Sequence, residues 1–338
     1  MNVYCTYFDH RYVDRGVTMI RSLRRVDPDC RVYVLCLSAE CFDVLSELAE
    51  PGVALMTLEQ FETDNADLLA VKPTRSLLEY YFTLTGALTH HLLQTVAPGA
   101  FVTYLDADLM FYSDPGPIFA EMSVGSMGFT PHNFRWRMAK LERYGRYNVG
   151  WTSFRADENG IAGAKFWRDR SIEWCHDYVD GDRFADQKYL DQIAASFPGV
   201  VEIKTPGVNV APWNFAHFRM TQAADGKILV DGVNPLVFFH FHGLKPDGGR
   251  YFVNHLAYLE GFPAFVRDNL YIPYLKALQR TREEIRRLPG MAARQEAHLG
   301  RGSSEDSAAH RKLTSVRARV TRSAAIALGH YLSDADLN

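Results

Sequence analysis

The sequence has few of the features that mark secreted, membrane-spanning or metal-clip proteins. Its cysteines are odd in number and lack the paired C-x-x-C spacing of structural zinc sites and redox motifs. They are Cys5, Cys30, Cys36, Cys41 and Cys175. No stretch approaches the roughly 18 uncharged residues of a membrane-spanning helix, and residues 1–12 include charged side chains where a signal peptide needs an apolar run. We therefore expect reduced thiols in a soluble, cytoplasmic protein that can still sit on the inner face of a membrane.

The chain also lacks a strong excess of charge of either sign. The formal net charge of its 338 residues is -3, with acidic and basic residues interspersed. Such a balance gives no global electrostatic reason to bind nucleic acid, so any phosphate binding must be local. Hydrophobic residues make up 47% of the chain, which is enough to bury a large core in one big domain or two small ones.

The first hundred residues alternate between strand-like and helix-like segments. Apolar runs at residues 2–8, 31–37 and 53–57 predict strands, and helical spacing at 15–25 and 39–49 predicts helices between them. A longer helix is predicted over 74–96, with Pro73 near its start. This alternation favours an α/β fold with a mainly parallel sheet covered by helices.

The composition divides the chain into two regions. Residues 1–275 form one predicted domain, in which the pattern loosens beyond residue 120 and short strands are predicted at 200–204 and 236–241. Residues 276–338 are rich in Arg, Ala and Glu and predict a helical or partly disordered basic tail. A solvated appendage is the main interpretation of this tail, and a weak hold on anionic lipid headgroups is the alternative.

Two aspartates follow a buried strand. Residues 101–105 are apolar and run straight into Asp106-Ala107-Asp108, so the carboxylates come at the carboxyl end of a strand, where ligands bind in open α/β sheets. Carboxylates this close raise each other's pKa unless a cation lies between them. Magnesium or manganese fits, because both accept carboxylate oxygens and keep positions open for phosphate, whereas zinc prefers His and Cys. The alternative is a helix cap or a turn.

A second polar group ends an aromatic strand near residue 240. His240 and His242 are two residues apart, so they face the same side of a strand, and either imidazole could complete a metal shell. Gly243 would let the backbone approach a phosphate, and Lys245 would supply a charge for it. The alternative is a His-rich strand end whose rings are satisfied by neighbours.

The order of these segments resembles a known family. The segments that carry the resemblance are Thr6-Tyr7, Tyr104-Leu-Asp-Ala-Asp-Leu109, Tyr147-Asn-Val-Gly150, Asp186-Gln187, Trp213-Asn214 and His240-Phe-His-Gly-Leu-Lys-Pro246. Over about residues 1–260 they resemble the GT-A fold glycosyltransferases of the glycogenin and bacterial lipooligosaccharide galactosyltransferase type, family 8. The resemblance implies a Rossmann-like sheet with helices on both faces, a nucleotide-binding half over 1–120 and a donor-sugar and acceptor half over 121–275.

The resemblance also implies a metal and a diphosphate site. Asp106, Asp108 and His240 would bind Mn²⁺ or Mg²⁺, and Gly243 and Lys245 would contact the diphosphate. The family spacing is H-x-x-G-x-x-K, and this chain has one residue fewer before its lysine. His242 therefore stays an alternative metal ligand.

Further donor contacts follow from the same resemblance. Those expected around the uracil base are Thr6, Tyr7, Asp9 and Tyr12, and the basic candidates ahead of the long helix are Lys72 and Arg75. Those expected around the sugar are Asn148, Gly150, Asp186, Gln187, Trp213 and Asn214. Asp186 would stabilise the oxocarbenium-like centre or orient the acceptor hydroxyl. A helix cap is the alternative for Asp186-Gln187, and burial is the alternative for Trp213.

The expected activity is transfer of a sugar from a nucleotide diphosphate sugar, a UDP-sugar by preference, to a glycan or lipid-linked acceptor. The resemblance implies retention of configuration and a place in cell-surface polysaccharide synthesis. A sugar-nucleotide pyrophosphorylase would need a Gly-rich basic loop after the first strand, which residues 5–15 lack. A two-metal phosphohydrolase would need more ligands, and a non-catalytic glycan-binding protein would have lost a carboxylate or the histidine.

Overall fold

The computed structural model describes residues 1–247, 250–289 and 329–337. It divides into two compact units, Met1–His240 and Phe241–Asn338. The predicted domain boundary at residue 275 stays a prediction, and helix Ile272–Arg286 runs across it. Most of the predicted basic tail, and with it the predicted membrane contact, lies outside the described residues.

The first unit is an α/β structure. Its strands are β1 (Val3–Phe8), β2 (Arg31–Cys36), β3 (Val53–Thr57), β4 (Phe101–Leu105), β5 (Leu109–Phe111), β6 (Met127–Pro131), β7 (Tyr147–Arg155), β8 (Val200–Glu202), β9 (Met220–Gln222), β10 (Ile228–Val230), β11 (Asn234–Pro235) and β12 (Phe238–His240). Its helices are α1 (Val13–Val26), α2 (Ala39–Leu48), α3 (Leu58–Asp64), α4 (Ala66–Val71), α5 (Leu77–Leu93), α6 (Gly116–Met122), α7 (Glu158–Glu173) and α8 (Lys188–Ser196). Short 3₁₀ segments lie at Lys72–Thr74, Trp136–Tyr144 and Phe215–His217.

The second unit is smaller. It contains β13 (Lys245–Asp247), β14 (Arg250–Phe252), α9 (Ala264–Val266), α10 (Ile272–Arg286) and β15 (Tyr331–Ser333), with β14 pairing antiparallel to both other strands. Phe241 stacks on Tyr274 with ring centroids 3.8 Å apart. Among the described residues of the chain, no helix is long and apolar enough to cross a bilayer.

A seven-stranded sheet organises the first unit in the order β3-β2-β1-β4-β7-β6-β8. The strands from β3 to β4 run parallel, β7 runs antiparallel to both of its neighbours, and β6 and β8 run parallel. The predicted mainly parallel α/β sheet is therefore confirmed. The parallel strands place the carboxyl ends of β1 and β4 side by side, so the residues after each strand share one edge.

Helices cover both faces of this sheet. On one face, α5 and α7 pack on a buried apolar cluster that includes Leu84, Phe154 and Trp167. On the other face, Phe119 of α6 lies against the ring of Trp151, with centroids 5.8 Å apart. All five cysteines are buried free thiols.

The long helix begins three residues later than predicted. Pro73 lies in a 3₁₀ turn, and Ser76 is the N-cap of α5. The Ser76 hydroxyl accepts the Glu79 N–H at 3.3 Å, and the Glu79 carboxylate accepts the Ser76 N–H at 2.8 Å. This reciprocal capping box fixes the start of the helix, because it satisfies two backbone donors that the helix leaves open.

Candidate metal and donor site

Strand pairing brings Asp106, Asp108 and His240 together. Both aspartates lie in the turn between β4 and β5, and β5 pairs antiparallel with β12 so that His240 lies opposite Leu109. The Nε2 atom of His240 is 3.0 Å from Oδ1 of Asp108 and 3.6 Å from Oδ2 of Asp106. The register of one short strand pair thus determines which histidine meets the aspartates.

The three side chains fit a divalent cation. One ligand atom from each lies within 4.8 Å of the others, and no other group of three His, Cys, Asp or Glu residues converges in this way within the described part of the chain. The His240 side chain is 2% exposed, whereas those of Asp106 and Asp108 are 30% and 16% exposed. Two carboxylates that reach solvent beside a buried imidazole leave room for further ligands, and this oxygen-rich set suits Mn²⁺ or Mg²⁺.

Without a cation, Asp106 and His240 hold protons more readily than isolated side chains do. Burial raises the pKa of Asp106 to about 6. The charge of His240 opposes this rise, and the charge of Asp108 adds to it. Burial lowers the pKa of His240, but Asp108 and Asp106 outweigh it and raise the value above the ordinary one. A cation that binds here must displace protons from these groups.

Asn148 on β7 sets the orientation of the histidine. Its Oδ1 atom accepts the Gly150 N–H at 3.1 Å, which identifies it as the amide oxygen. The same oxygen lies 3.2 Å from Nδ1 of His240. An amide oxygen only accepts hydrogen bonds, so Nδ1 donates and the lone pair of the neutral imidazole is at Nε2, toward the aspartates.

Gly150 is needed for this approach. A Cβ atom at this position would lie 2.7 Å from Oδ1 of Asn148 and 2.9 Å from Nδ1 of His240, so a larger residue would push the imidazole away. The Gly150 carbonyl also accepts the Asp106 N–H at 3.2 Å. Glycine at this position therefore lets the histidine lie close to β7, and the expected contact of Gly150 with the sugar stays a prediction.

Asp186 is buried close enough to Asp106 for their charges to interact. Burial raises its pKa to about 7, a hydrogen bond from Thr85 opposes the rise, and the charge of Asp106 adds to it. The preceding residue, Ala185, has a left-handed backbone with φ of 44°. Such a conformation is unusual for alanine and costs energy, so the fold holds Asp186 in place against local preference.

Gln187 is held toward the same place. Its Nε2 atom donates to the Tyr144 carbonyl at 3.0 Å, and its Oε1 atom lies 3.5 Å from Nδ2 of Asn148. Gln187 occupies the N-cap position of α8, but no side-chain capping bond forms there. The Gln187 side chain therefore does not cap α8, whereas backbone N–H groups of Asp186 and Gln187 at the start of the helix bond to the Asp186 carboxylate and oppose the rise of its pKa.

The first strand contributes two buried hydroxyl residues. The Thr6 hydroxyl is fully buried and finds no hydrogen-bond partner in the described part of the chain. The Tyr7 hydroxyl lies 2.9 Å from the hydroxyl of Thr85. Burial raises the pKa of Tyr7, with a further rise from the charge of Asp186. Tyr7 and Thr85 thus connect β1 to Asp186.

Asp9 and Tyr12 follow β1 at the same sheet edge. Asp9 is 5% exposed and accepts from the Arg11 guanidinium at 2.6 Å and from the Tyr81 hydroxyl at 3.3 Å. Tyr12 is 43% exposed, and Arg15 lies 4.4 Å from its ring centroid. Burial raises the pKa of Tyr12, Arg15 opposes this, and the charge of Asp108 raises it further. Tyr12 is therefore an exposed aromatic side chain close enough to Asp108 for that charge to affect it.

The two predicted donor cations are engaged by protein groups. The Lys72 ammonium lies 2.6 Å from Oε1 of Glu62. Arg75 donates to the Ile172 carbonyl at 2.9 Å and lies 3.1 Å from Nε2 of His176. Neither contacts the aspartate pair, so their roles at the donor stay predictions.

Trp213 and Asn214 lie inside the protein. Trp213 is 2% exposed, and its ring lies edge-on to both His240 and His132 at 5.2 Å. Burial, the alternative for this residue, therefore holds. Asn214 is 1% exposed and donates to the carbonyls of His132 and Asn209 at 2.9 Å. Both residues support the histidine and the surrounding loops.

Gly243, Lys245 and His242 belong to the second unit. Gly243 has φ of 72°, and a Cβ atom there would collide with the side chain of Asn254, so this turn requires glycine. Lys245 is exposed on β13, and His242 is exposed with its ring 6.3 Å from that of Tyr258. Their contacts with a diphosphate or a metal stay predictions.

Thr85 is the residue near the site that sequence reasoning missed. It lies in α5, where Thr83, Thr85 and Thr89 are all fully buried. Thr83 and Thr89 donate to carbonyls of their own helix, whereas Thr85 also reaches Tyr7. Buried hydroxyls in an otherwise apolar helix are a usable signal, but nothing local in the sequence separates Thr85 from its neighbours.

The chain is similar to proteins of Bacillus subtilis (strain 168). It is 33% identical to the uncharacterized protein YfnF over 251 residues, which cover 72% of this chain and 82% of that protein. The chain belongs to the YfnF family. It is also 30% identical to a second uncharacterized protein, YfnD, over 285 residues that cover 83% of this chain and 90% of YfnD. No model of a described protein family matches the chain.

The chain has the GT-A fold. This chain superimposes on the crystal structure of the galactosyltransferase LgtC, solved in complex with donor and acceptor sugar analogues, with a TM-score of 0.50. The match covers 79% of this chain and 100% of LgtC at 16% sequence identity. Similarity at this level shows the fold, and it confirms the predicted resemblance to that extent.

Proposed function

We propose that the protein is a metal-dependent glycosyltransferase that uses a nucleotide diphosphate sugar, with a UDP-sugar as the expected donor. The supporting observation is the convergence of Asp106, Asp108 and His240 within 4.8 Å at the ligand-binding edge of a GT-A sheet. The acceptor is a glycan or a lipid-linked glycan of a cell-surface polysaccharide, as the family 8 resemblance implies.

The three side chains would hold Mn²⁺ or Mg²⁺. When bound, such a cation offsets the negative charge that develops on the departing diphosphate. Asn148 keeps Nε2 of His240 directed at the aspartates. Tyr12 offers an exposed ring beside Asp108 for the nucleotide base.

Asp186 is the proposed catalytic carboxylate, with Gln187 beside it. Asp186 is 4% exposed, and its pKa of about 7 lets it exist in both protonation states near neutral pH. In the ionised state it would stabilise the oxocarbenium-like centre or orient the acceptor hydroxyl, and transfer with retention follows from the family resemblance. The bonds from Gln187 to Tyr144 and Asn148 keep its amide next to the same space.

The test is turnover of UDP-, GDP- and CDP-sugars by purified protein with Mn²⁺, Mg²⁺ or EDTA. Asp108→Asn removes one metal-binding charge while keeping shape, and we expect metal-dependent turnover to fall about 100-fold or more. Asp64→Asn, on the exposed side of α3, is the matched control and should leave turnover unchanged. If none of these sugars binds or turns over with metal present, the proposed function is wrong.

Mn²⁺ titrations separate the two histidines. His240→Ala should weaken Mn²⁺ binding at least about tenfold, because Nε2 of His240 lies 3.0 Å from Asp108. His242→Ala should weaken it far less. The reverse order would assign the metal to His242. Donor binding without turnover in the wild-type protein would favour the non-catalytic, glycan-binding alternative.

A further inference from the structure

One surface segment differs sharply in charge from the rest of the chain. Residues 133–146 connect β6 to β7 and are called the β6–β7 segment here. The segment contains five basic residues and one acidic residue, whereas the whole chain has a formal net charge of -3. The charged residues are Arg135, Arg137, Lys140, Glu142, Arg143 and Arg146.

Three of these cations have no acidic partner. Arg137, Lys140 and Arg143 are exposed, and no carboxylate of the described residues lies within 4 Å of their charged groups. Arg146, by contrast, pairs with Glu202 at 2.8 Å. Three exposed positive charges within seven residues, none paired with a carboxylate of the described residues, create a local positive potential that attracts anions.

An exposed tryptophan lies among these cations. Trp136 is 77% exposed, while the other four tryptophans are buried or half-buried. Arg137 lies 5.1 Å from the centroid of the Trp136 ring, and Arg143 lies 4.6 Å from that of Tyr144. Large aromatic rings that stay open to water are typical of binding surfaces, and a flat ring can pack on the C–H face of a sugar.

The segment is tied to the candidate site. The Tyr144 carbonyl accepts from Gln187 at 3.0 Å, and the Glu142 carbonyl accepts from Lys188 at 3.1 Å. His132, just before the segment, lies 3.4 Å from Nδ2 of Asn148. The segment therefore contacts Gln187 and Asn148, two of the side chains assigned to the transferred sugar, through its carboxyl end and through the residue before it.

We propose that the β6–β7 segment binds the acceptor and that this acceptor is an anionic glycan with phosphate or carboxylate groups. Arg137, Lys140 and Arg143 bind the anionic groups, and Trp136 packs on a sugar ring between them. The proposal rests on the proposed function and adds the chemical class of the acceptor. The hydrogen bonds from Gln187 and Lys188 to carbonyls of the segment favour an acceptor over a membrane surface as its ligand, because they attach the segment to the candidate site.

The experiment measures binding of phosphorylated dextran and of neutral dextran of the same length. Fluorescence quenching suits the measurement, because Trp136 is the exposed tryptophan of the described residues. We expect the wild-type protein to bind phosphorylated dextran about tenfold more tightly than neutral dextran, with the difference shrinking as salt is added. Inorganic phosphate at the same phosphate concentration should compete weakly.

Charge-reversed variants locate the binding surface. R137E/K140E/R143E should lose about tenfold in affinity for phosphorylated dextran. R31E/K165E/K227E changes charge equally at exposed positions elsewhere and should lose less than about twofold. Trp136→Ala, which leaves the charge unchanged, should weaken binding of both dextrans. Because this variant lacks the fluorescent Trp136, its affinities and those of the wild-type protein are measured through a label on the dextran.

Three results would overturn the proposal. They are equal losses in the two triple variants, equal affinity for the two dextrans, and binding only to phosphatidylglycerol vesicles, which would make the segment a membrane surface. Donor hydrolysis by the wild-type protein without acceptor is measured separately. Absence of both donor binding and donor turnover with metal present would remove the proposed function, whereas the dextran measurements decide on the segment by themselves.

Discussion

At the residue scale, the candidate site consists of the three candidate metal ligands and of the side chains that hydrogen-bond to them. Asn148 holds the Gly150 N–H and Nδ1 of His240 with a single oxygen. Groups of this kind fix the tautomer and orientation of a metal-binding imidazole. They also satisfy donors that would otherwise be buried without a partner.

Replacing Asn148 tests this role. Asn148→Leu keeps the size but leaves two buried donors unpaired, so we expect the free energy of unfolding to fall by about 1–3 kcal/mol. Mn²⁺ affinity should fall about 10- to 100-fold. Asn148→Asp keeps the accepting oxygen and should retain Mn²⁺ binding. Calorimetric titration and urea unfolding measure both quantities, and wild-type Mn²⁺ affinity in Asn148→Leu would contradict the assignment.

The residues of the site differ in how far sequence alone could identify them. Asp106 and Asp108 could be placed because they directly follow a buried strand. His240 and His242 could not be separated, because the register between β12 and β5 decides between them and that register joins distant parts of the chain. The contact of Asn148 with His240 also crosses two strands, and no local pattern reports it.

At the element scale, β1 to β4 lie within about a residue of their predicted positions, because apolar runs between helical repeats leave little choice. Strand β7 was not predicted. It lies between two strands with all residues but Arg155 buried, so it lacks the alternation of polar and apolar residues that a half-exposed strand shows. Helix α7 was also missed, since Gly160 and Gly163 lower its helical propensity.

The start of α5 gives the element-scale prediction. Ser76→Ala removes the hydroxyl that accepts the Glu79 N–H, and we expect the free energy of unfolding to fall by about 1 kcal/mol. Ser123→Ala is the control, because the Ser123 hydroxyl only donates to a carbonyl at a helix end and should change stability by less than about 0.5 kcal/mol. Urea unfolding at neutral pH compares the two. Equal losses of unfolding free energy in Ser76→Ala and Ser123→Ala would show that the capping box does not stabilise the protein.

At the scale of the whole molecule, the division at His240 and Phe241 was not visible in the composition. The sequence changes character near residue 276, where aromatic residues become scarce. The second unit instead begins with Phe241, which packs on Tyr271 and Tyr274 with ring centroids 5.0 Å and 3.8 Å apart. Contacts between residues about thirty positions apart leave no periodic signature in the sequence.

A buried histidine in the second unit makes stability depend on pH. His255 is fully buried, donates from Nδ1 to the Gly261 carbonyl and accepts the Tyr271 hydroxyl at Nε2, both at 2.9 Å. Burial lowers its pKa to about 3, and the hydrogen bond to the Gly261 carbonyl opposes this shift only in part. The unfolded chain therefore binds more protons than the folded chain between about pH 6.5 and pH 3, and stability falls as pH falls through that window.

We expect protonation of His255 in the unfolded chain to lower the free energy of unfolding by about 2 kcal/mol between pH 7 and pH 5. His255→Gln can make both hydrogen bonds without titrating, so its unfolding free energy should change less over that range by about this amount. Urea unfolding at the two pH values measures the difference. An NMR titration of the wild-type protein supplies an independent check, since a His255 imidazole that becomes charged at pH 5 would contradict the prediction.

The pairing of β5 with β12 also bears on how the protein is made. His240 follows Asp108 by about 130 residues, so both aspartates leave the ribosome long before their imidazole partner. An amino-terminal fragment that ends before β12 contains the carboxylates without the third ligand. Contacts across such a separation slow folding, because a long loop must close before they form, and the cation of the proposed function would stabilise the complete three-residue set more than the two carboxylates alone. For the proposed metal-dependent enzyme, tight binding of Mn²⁺ would therefore report that synthesis and folding have reached β12.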